Sequence, residues 1–357
     1  MGLLALFRLR RRQINGSCVL DVPIEAYDKT TGLPATIPVG GKEVEPYVSL
    51  QEVKDHLIFL SAISDLQSSF EAQDSLNDSS VSVRVLVAIS SEPYIHWAQY
   101  TLNQRQANGS STPARTSETD MGSGVSGNKG IQEPIDHERK CDQLAEDALP
   151  HLGILMAWHA HLLNPIRYEN DLDGDFSALK GLNFPLAAVA KAIQEGSLPP
   201  VKPLDDTQKA CLDVVNRTTT AIISASSEPG KGWTSKDVAL ATQRQAKFVG
   251  HMKRIEWLDQ RYWGTTGYTG FQSGVVLYHA WLDLMHASSS RYFLVPRLDI
   301  DLAWHTHQLH HARYNTDTTG LLGKMLNHDD AAGEDKLGDG LEMTKKLWKK
   351  RFGHAYM

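Results

Sequence analysis

Two short histidine motifs carry the chemistry that this sequence suggests. Both Trp158–His161 and Trp304–His307 have the pattern Trp-His-x-His. Imidazole is the commonest protein ligand of transition metals, and it readily exchanges a proton near neutral pH. The motifs therefore supply four candidate catalytic or metal-binding residues: His159, His161, His305 and His307.

Asp301 is the fifth candidate. It lies four residues before His305, and this spacing places both on the same face of a helix. Its carboxylate can accept the imidazole N–H and fix the tautomer, as carboxylates do beside metal-bound histidines. Leu155 holds the equivalent place in the first motif. The two histidine sites are therefore expected to differ chemically.

The histidines of one motif are not expected to share a metal ion. A helix has 3.6 residues per turn, so residues two apart point about 200° from each other. A shared site would instead take one histidine from each motif, as His159 with His305 or His161 with His307. His328 and the two aspartates that follow it could add ligands or begin a helix.

Five aromatic residues are predicted to form the walls of an apolar substrate pocket: Trp158, Trp304, Tyr168, Tyr314 and Trp281. The sequence thus favours an enzyme that acts on a small organic molecule, in specialised (secondary) metabolism. With a divalent metal, zinc or iron, the site would perform oxygenation or hydrolysis. Without a metal, an imidazole acid would steer a cyclisation or rearrangement. The alternative is a non-catalytic interaction or scaffold protein, in which the histidines only pack and form hydrogen bonds.

Both motifs belong to a longer internal repeat. Pro150–Gly174 aligns without gaps on Pro296–Gly320, at an offset of 146 residues and with 12 of 25 positions identical. Such self-similarity predicts a pseudo-symmetric pair of helices that pack near one another.

The elements that position the motifs are predicted to be helical. Ser49–Glu52 and Thr234–Asp237 have the pattern of helix starts. Gly274–Met285 is apolar on nearly every side, which is typical of a central buried helix. A last helix ends near Lys350. The predicted fold class is mainly α, with a pseudo-duplication around the two Trp-His-x-His helices.

The predicted organisation is one helical domain over residues 21–357, with its first half at about 46–200 and its second at about 207–357. A basic tail (1–20) precedes it. Residues 104–133 offer almost nothing to bury, so a disordered insertion is expected there.

Composition limits the partners. The formal net charge of -6 disfavours nucleic acid, and no run approaches the roughly 18 apolar residues of a membrane span. Three widely spaced cysteines suit reduced thiols, which predicts a cytoplasmic location. The oligomeric state stays open.

The segment Leu294–Leu309, followed by His328–Asp330, resembles the family of glycine-rich domain-containing protein-like sequences. Trp158–Tyr168 is similar to that family's upstream motif, and the likeness runs discontinuously from about Glu52 to Tyr356. Without a glycine-rich tail, the chain is similar to the shorter fungal members. It departs from the family where Gly153 and Leu155 replace acidic residues before the first motif, and where residues 104–133 look inserted. The resemblance implies a mainly helical fold and no settled activity.

Overall fold

The computed structural model describes residues 27–28, 30–71, 79–101, 144, 148–201, 233–261 and 269–356. The predicted basic tail (1–20) and the predicted insertion (104–133) lie outside these residues.

Within the described residues the chain is mainly α-helical, which confirms the predicted fold class. A short antiparallel pair of strands, β1 (Ile37–Val39) and β2 (Lys42–Val44), precedes the helices. The helices are α1 (Leu50–Glu71), α2 (Ser79–His96) with a π-helical continuation (Trp97–Thr101), α3 (Leu152–Leu162), α4 (Pro165–Asp171), a 3-10 turn (Ser177–Leu179), α5 (Leu186–Glu195), α6 (Ser235–Arg254), α7 (Thr269–Ala287), α8 (Leu298–Gln308), α9 (His311–Leu322) and α10 (Glu334–Phe352).

Reciprocal side-chain caps begin α1 and α6, as the sequence predicts. The Ser49 amide donates to the Glu52 carboxylate at 2.7 Å, and the Glu52 amide donates to the Ser49 hydroxyl at 3.1 Å. Thr234 and Asp237 repeat the arrangement at 3.0 and 3.4 Å. Each box satisfies amides that the first helical turn would otherwise leave without a partner.

The predicted central buried helix is α7. Val275, Tyr278, Trp281 and Leu282 are fully buried along it. It packs closely against α8 and also contacts β1. Among the helices that the structure describes, none is both long and apolar enough to cross a membrane.

The duplication extends beyond the aligned motifs. α2 packs closely against α3, α7 packs closely against α8, and a small helix (α4 or α9) follows each pair. Tyr94 near the end of α2 and Trp97 at the start of its π-helical continuation match Tyr278 and Trp281 in α7, at an offset of 184 residues. The helix α6 precedes α7 as α1 precedes α2, and it packs against α2 and α3. The first helix of the second half therefore lies against the first half, so the two halves interlock.

Candidate functional site

The tryptophan of each motif ties its helix to the helix that follows. Trp158 Nε1 donates to the hydroxyl of Tyr168 at 3.3 Å, and Trp304 Nε1 donates to that of Tyr314 at 2.9 Å. Trp281 lies against Trp304, with ring centroids 4.8 Å apart. All five of these side chains are buried. They form the core beside the histidines, and their predicted role in binding substrate stays a prediction.

The second histidine of each motif is fully occupied by hydrogen bonds. In α3, His161 Nε2 lies 3.2 Å from Asp171 Oδ2, and its Nδ1 lies 2.8 Å from the hydroxyl of Tyr94. An ionised carboxylate can only accept, so the imidazole proton is on Nε2 and the tyrosine donates to Nδ1. Burial lowers the pKa of His161 more than Asp171 raises it. His161 is therefore neutral and held from both sides.

His307 repeats this arrangement in α8. Its Nε2 lies 3.1 Å from Asp317 Oδ2, and its Nδ1 lies 3.0 Å from the hydroxyl of Tyr278. Burial lowers its pKa to about 4, against the opposing effect of Asp317. Tyr47 stacks on this ring with centroids 5.2 Å apart, as Trp233 stacks on His161 at 4.4 Å. The two Tyr–His–Asp groups are pseudo-equivalent.

The first histidine of the second motif belongs to a different kind of cluster. His305 Nε2 lies 3.1 Å from His328 Nε2 and 3.4 Å from Asp301 Oδ1. One ligand atom from each of these three residues lies within 4.8 Å of the other two. His305 is 1 % exposed, whereas the Asp301 side chain is 19 % exposed. The cluster thus lies just beneath the surface, on the side of Asp301.

The ligand atoms of this cluster suit a metal ion. His328 Nδ1 lies 2.8 Å from the carbonyl oxygen of Leu163 and must donate to it, which leaves a lone pair on Nε2. A metal-binding histidine commonly donates its other N–H to a carbonyl in this way. Nitrogens bound to zinc at about 2.1 Å in a tetrahedral site lie roughly 3.4 Å apart, close to the two separations above. Asp301 lies on the same face of α8 as His305, as the four-residue spacing predicts.

Burial raises the pKa of Asp301 to about 6, and Asp330 adds to this rise while His328 opposes it. Asp330 itself forms an ion pair with Arg244 at 2.9 Å. For His305, burial lowers the pKa well below its usual value, and His328 lowers it further. The histidine is therefore neutral at physiological pH, the form that binds metals.

The first histidine of the first motif has a different partner. His159 Nε2 lies 3.0 Å from His56 Nε2, and His56 Nδ1 lies 2.9 Å from the hydroxyl of Thr306. Both imidazoles are fully buried. Burial lowers the pKa of His159 to about 3. His159 of α3, His56 of α1 and Thr306 of α8 are therefore joined by hydrogen bonds.

The two halves differ at the positions around these histidines. Leu163 and Leu309 are aligned in the repeat, and the carbonyl of each accepts a hydrogen bond from the other half. The Phe184 amide donates to Leu309 at 3.2 Å, and His328 Nδ1 donates to Leu163 at 2.8 Å. Phe184 also packs on Trp158 as His328 packs on Trp304, with centroids 5.2 and 4.8 Å apart. Phe184 and Leu155 thus occupy the places of His328 and Asp301. Only the second half has a carboxylate at this place, and its second imidazole is His328, whereas the imidazole that pairs with His159 is His56 of α1.

The structure brings together some of the sequence-predicted residues and separates others. His305 and Asp301 share one cluster, together with His328. The hydrogen bonds of His159 go to His56, and those of His161 and His307 go to tyrosines and aspartates, so the two cross-motif pairings named above are not seen as direct hydrogen bonds.

Sequence reasoning missed His56, Tyr94 and Tyr278. The matching Tyr-x-x-Trp patterns at positions 94–97 and 278–281 could have indicated the two tyrosines. No comparable signal marks His56.

Comparison with known proteins finds a family match that includes the second motif. A family model described as Glycine-rich domain-containing protein-like matches residues 202–317, a range that includes Asp301 and His305. Glycine-rich domain-containing protein 2 of Arabidopsis thaliana is 32 % identical over 220 residues, which is 58 % of this chain and 26 % of that protein. Glycine-rich domain-containing protein 1 of the same plant is 30 % identical over 215 residues, with 58 % and 25 % covered. The match thus spans about a quarter of the length of these relatives.

No solved structure matches the chain. The family model and both relatives nevertheless have the same description, that of a glycine-rich domain-containing protein. Together they show that the chain is similar to the glycine-rich domain-containing protein-like family.

Proposed function

We propose that the chain is an enzyme that acts on a small organic molecule through a divalent metal ion bound by Asp301, His305 and His328. The observation that carries the proposal is the difference between the halves. The pseudo-equivalent place in the first half has Leu155 and Phe184 around His159, and these two side chains cannot bind a metal. A fold that needed the cluster only for packing would not require a partly buried carboxylate in one half and leucine in the other.

The ligand set limits the chemistry. Two imidazoles and one carboxylate leave coordination positions open, as in zinc hydrolases and in non-haem iron oxygenases. A metal ion bound there would polarise a substrate oxygen or lower the pKa of a bound water. The partial exposure of Asp301 gives the cluster a side toward solvent. The proposal therefore covers hydrolysis and oxygenation, with zinc or iron as the metal.

Metal content tests the proposal directly. Purified wild-type protein would be analysed by plasma mass spectrometry and titrated with Co(II), whose visible spectrum reports the ligand geometry. We expect about one metal ion per chain, and its loss in the Asp301→Asn and His305→Ala variants with the helical circular dichroism retained.

His311→Gln is the matched control. His311 is a largely buried histidine four residues from His307, but it pairs with Glu169 and lies outside the cluster. This variant should keep the metal. A wild-type protein that binds neither Co(II) nor Zn(II) at micromolar concentration would rule the metal centre out.

A second candidate, a non-catalytic helical interaction or scaffold protein, is favoured by the two Tyr–His–Asp groups. His161 and His307 have both ring nitrogens occupied and are fully buried, as structural residues are. If this alternative is right, His305→Ala lowers the stability and abolishes no separable activity. A catalytic role instead requires a folded variant that has lost turnover.

Three further features belong to the proposal and come from the sequence. They are a role in specialised metabolism, a cytoplasmic location, and a small molecule instead of nucleic acid as the partner. Untargeted comparison of metabolites with and without the gene would identify the substrate class.

A further inference from the structure

Two pseudo-equivalent imidazole nitrogens, one from each half, are among the buried polar atoms that have no hydrogen-bond partner in the described residues. They are Nδ1 of His159 and Nδ1 of His305, the pseudo-equivalent histidines of the two motifs. A polar atom that is buried without a partner is unfavourable and calls for an explanation. The hydrogen bonds around each ring determine whether that nitrogen is a donor or an acceptor.

In the first half, Thr306 determines the tautomers. Its hydroxyl lies 2.7 Å from the carbonyl oxygen of Leu302 and donates its single proton there. The hydroxyl must therefore accept from His56 Nδ1, so His56 has its proton on Nδ1 and a lone pair on Nε2. His159 then donates from Nε2 to that lone pair. It follows that the unpartnered Nδ1 of His159 is a hydrogen-bond acceptor.

In the second half, metal binding would make the unpartnered nitrogen a donor. A neutral imidazole that binds a metal through Nε2 carries its proton on Nδ1. For His328 that proton is already accepted by the carbonyl of Leu163. For His305 no described residue accepts that proton, since its Nδ1 is buried without a partner. The two unpartnered atoms are thus chemically complementary.

We propose that His159 is the positioning residue of the metal ligand His305, with its unpartnered Nδ1 accepting the Nδ1–H of His305 across one buried water. This inference rests on the proposed metal centre. Its function would be to fix the ring orientation and the tautomer of His305, as carboxylates and carbonyls do for other metal-bound histidines.

Two series of hydrogen bonds hold His159 and His305 near each other. His56 pairs with His159 and also reaches Thr306, the residue next to His305. In the opposite direction, His328 pairs with His305 and reaches Leu163, four residues after His159. The charges of His159 and His56 both help to lower the pKa of His305, which agrees with this proximity.

The test changes the tautomer without touching a metal ligand or His159. Thr306→Val removes the hydroxyl that accepts from His56 and keeps the shape of the side chain. Its expected effect is a Co(II) affinity about 10- to 100-fold weaker than that of the wild type, the usual cost of losing a partner of a metal ligand. Thr306→Ser restores the hydroxyl and should restore the affinity.

Ser91→Ala is the control. Ser91 has a buried helix hydroxyl that donates to the backbone carbonyl of Val87 at 2.8 Å. Like the Thr306 hydroxyl it donates to a carbonyl of its own helix, but no imidazole of the described residues forms a hydrogen bond to it. This variant should bind Co(II) as the wild type does.

Long-range proton–nitrogen NMR of the full chain with ¹⁵N-labelled histidine provides a readout that a merely structural role would not change. In the wild type, His56 should show Nδ1–H and His159 should show Nε2–H. Zn(II) should move the proton of His305 from Nε2 to Nδ1. A proton on His159 Nδ1 in the zinc-loaded wild type would overturn the inference, even if Thr306→Val does not fold.

The outcomes separate the two proposals. Absence of Co(II) binding to the wild type overturns the metal centre itself. Binding to the wild type with unchanged affinity in folded Thr306→Val leaves the metal centre intact and overturns only the role of His159.

Discussion

Gly153 in α3 approaches α2 so closely that a Cβ on it would lie 2.8 Å from the carbonyl oxygen of Ile89. The second half has the same close contact with the partners reversed. There a Cβ on Gly274 in α7 would lie 2.7 Å from the carbonyl oxygen of Asp299, the residue aligned with Gly153. Each helix pair therefore depends on one glycine at its crossing, and these crossings set the position of both motif helices.

Gly153→Ala and Gly274→Ala should each destabilise the protein by about 1–3 kcal/mol, because the backbone contact must open to admit a methyl group. Urea unfolding followed by circular dichroism measures this. Gly250→Ala is the control, since this glycine lies within α6 with open space around it. There alanine should stabilise by up to about 1 kcal/mol through its higher helix propensity. Equal effects at all three positions would contradict the close-contact explanation.

Tyr94→Phe and Tyr278→Phe should lower the free energy of unfolding by similar amounts, about 1–3 kcal/mol each. Each removes the hydroxyl that donates to a buried histidine Nδ1, at 2.8 and 3.0 Å respectively. The exposed Tyr292, with 44 % of its surface accessible, provides a control whose change to Phe should be nearly neutral. A neutral result at either buried tyrosine would show that its histidine finds another donor.

Acid should unfold the protein through its buried histidines. Burial lowers the pKa of His159 to about 3 and those of His279 and His307 to about 4, whereas the unfolded chain binds protons near pH 6.5. Their protonation therefore costs no stability above about pH 6.5, where they are neutral in both states, and it costs increasingly more as the pH falls toward 4. By pH 4.5 each of these histidines should cost about 2–3 kcal/mol of unfolding free energy. A free energy that stays constant from pH 7.5 to 5 in the presence of chelator would contradict this prediction.

Asp301→Leu should stabilise the metal-free protein while it abolishes metal binding. Asp301 has a pKa of about 6, above the unfolded value, so its carboxylate costs stability at pH 8 and costs none below about pH 4. The gain from leucine should therefore be about 1–3 kcal/mol at pH 8 and should disappear in acid. Leucine is also the residue that the first half has at this position.

Asp317→Leu serves as the opposite case. Asp317 accepts the Nε2–H of the buried His307 at 3.1 Å, so its loss leaves that donor without a partner. This variant should be less stable than the wild type at pH 8. If Asp301→Leu were equally destabilising, Asp301 would be a structural residue, and the metal proposal would lose its main support.

Local spacing in the sequence was enough to predict the helical class, the capped starts of α1 and α6, the buried α7 and the duplicated motif helices. It also placed Asp301 and His305 together. These features depend on residues within one or two helical turns of each other, and the 3.6-residue period makes their relative positions readable from the sequence.

The partners of the motif histidines were decided by the tertiary structure. His56 lies 103 residues from His159, and His328 reaches Leu163 across 165 residues. No periodicity connects such positions, because their contact depends on how the two halves interlock. The duplication itself was only partly visible, since the Tyr-x-x-Trp pairs recur at 184 residues and the motifs at 146.

Only the packed fold shows that Phe184 and Leu155 occupy the places of His328 and Asp301. The sequence by itself determined that two histidine helices exist. The packing of distant segments decided that the first histidine of each helix pairs with another imidazole and that only the second pair has a carboxylate beside it.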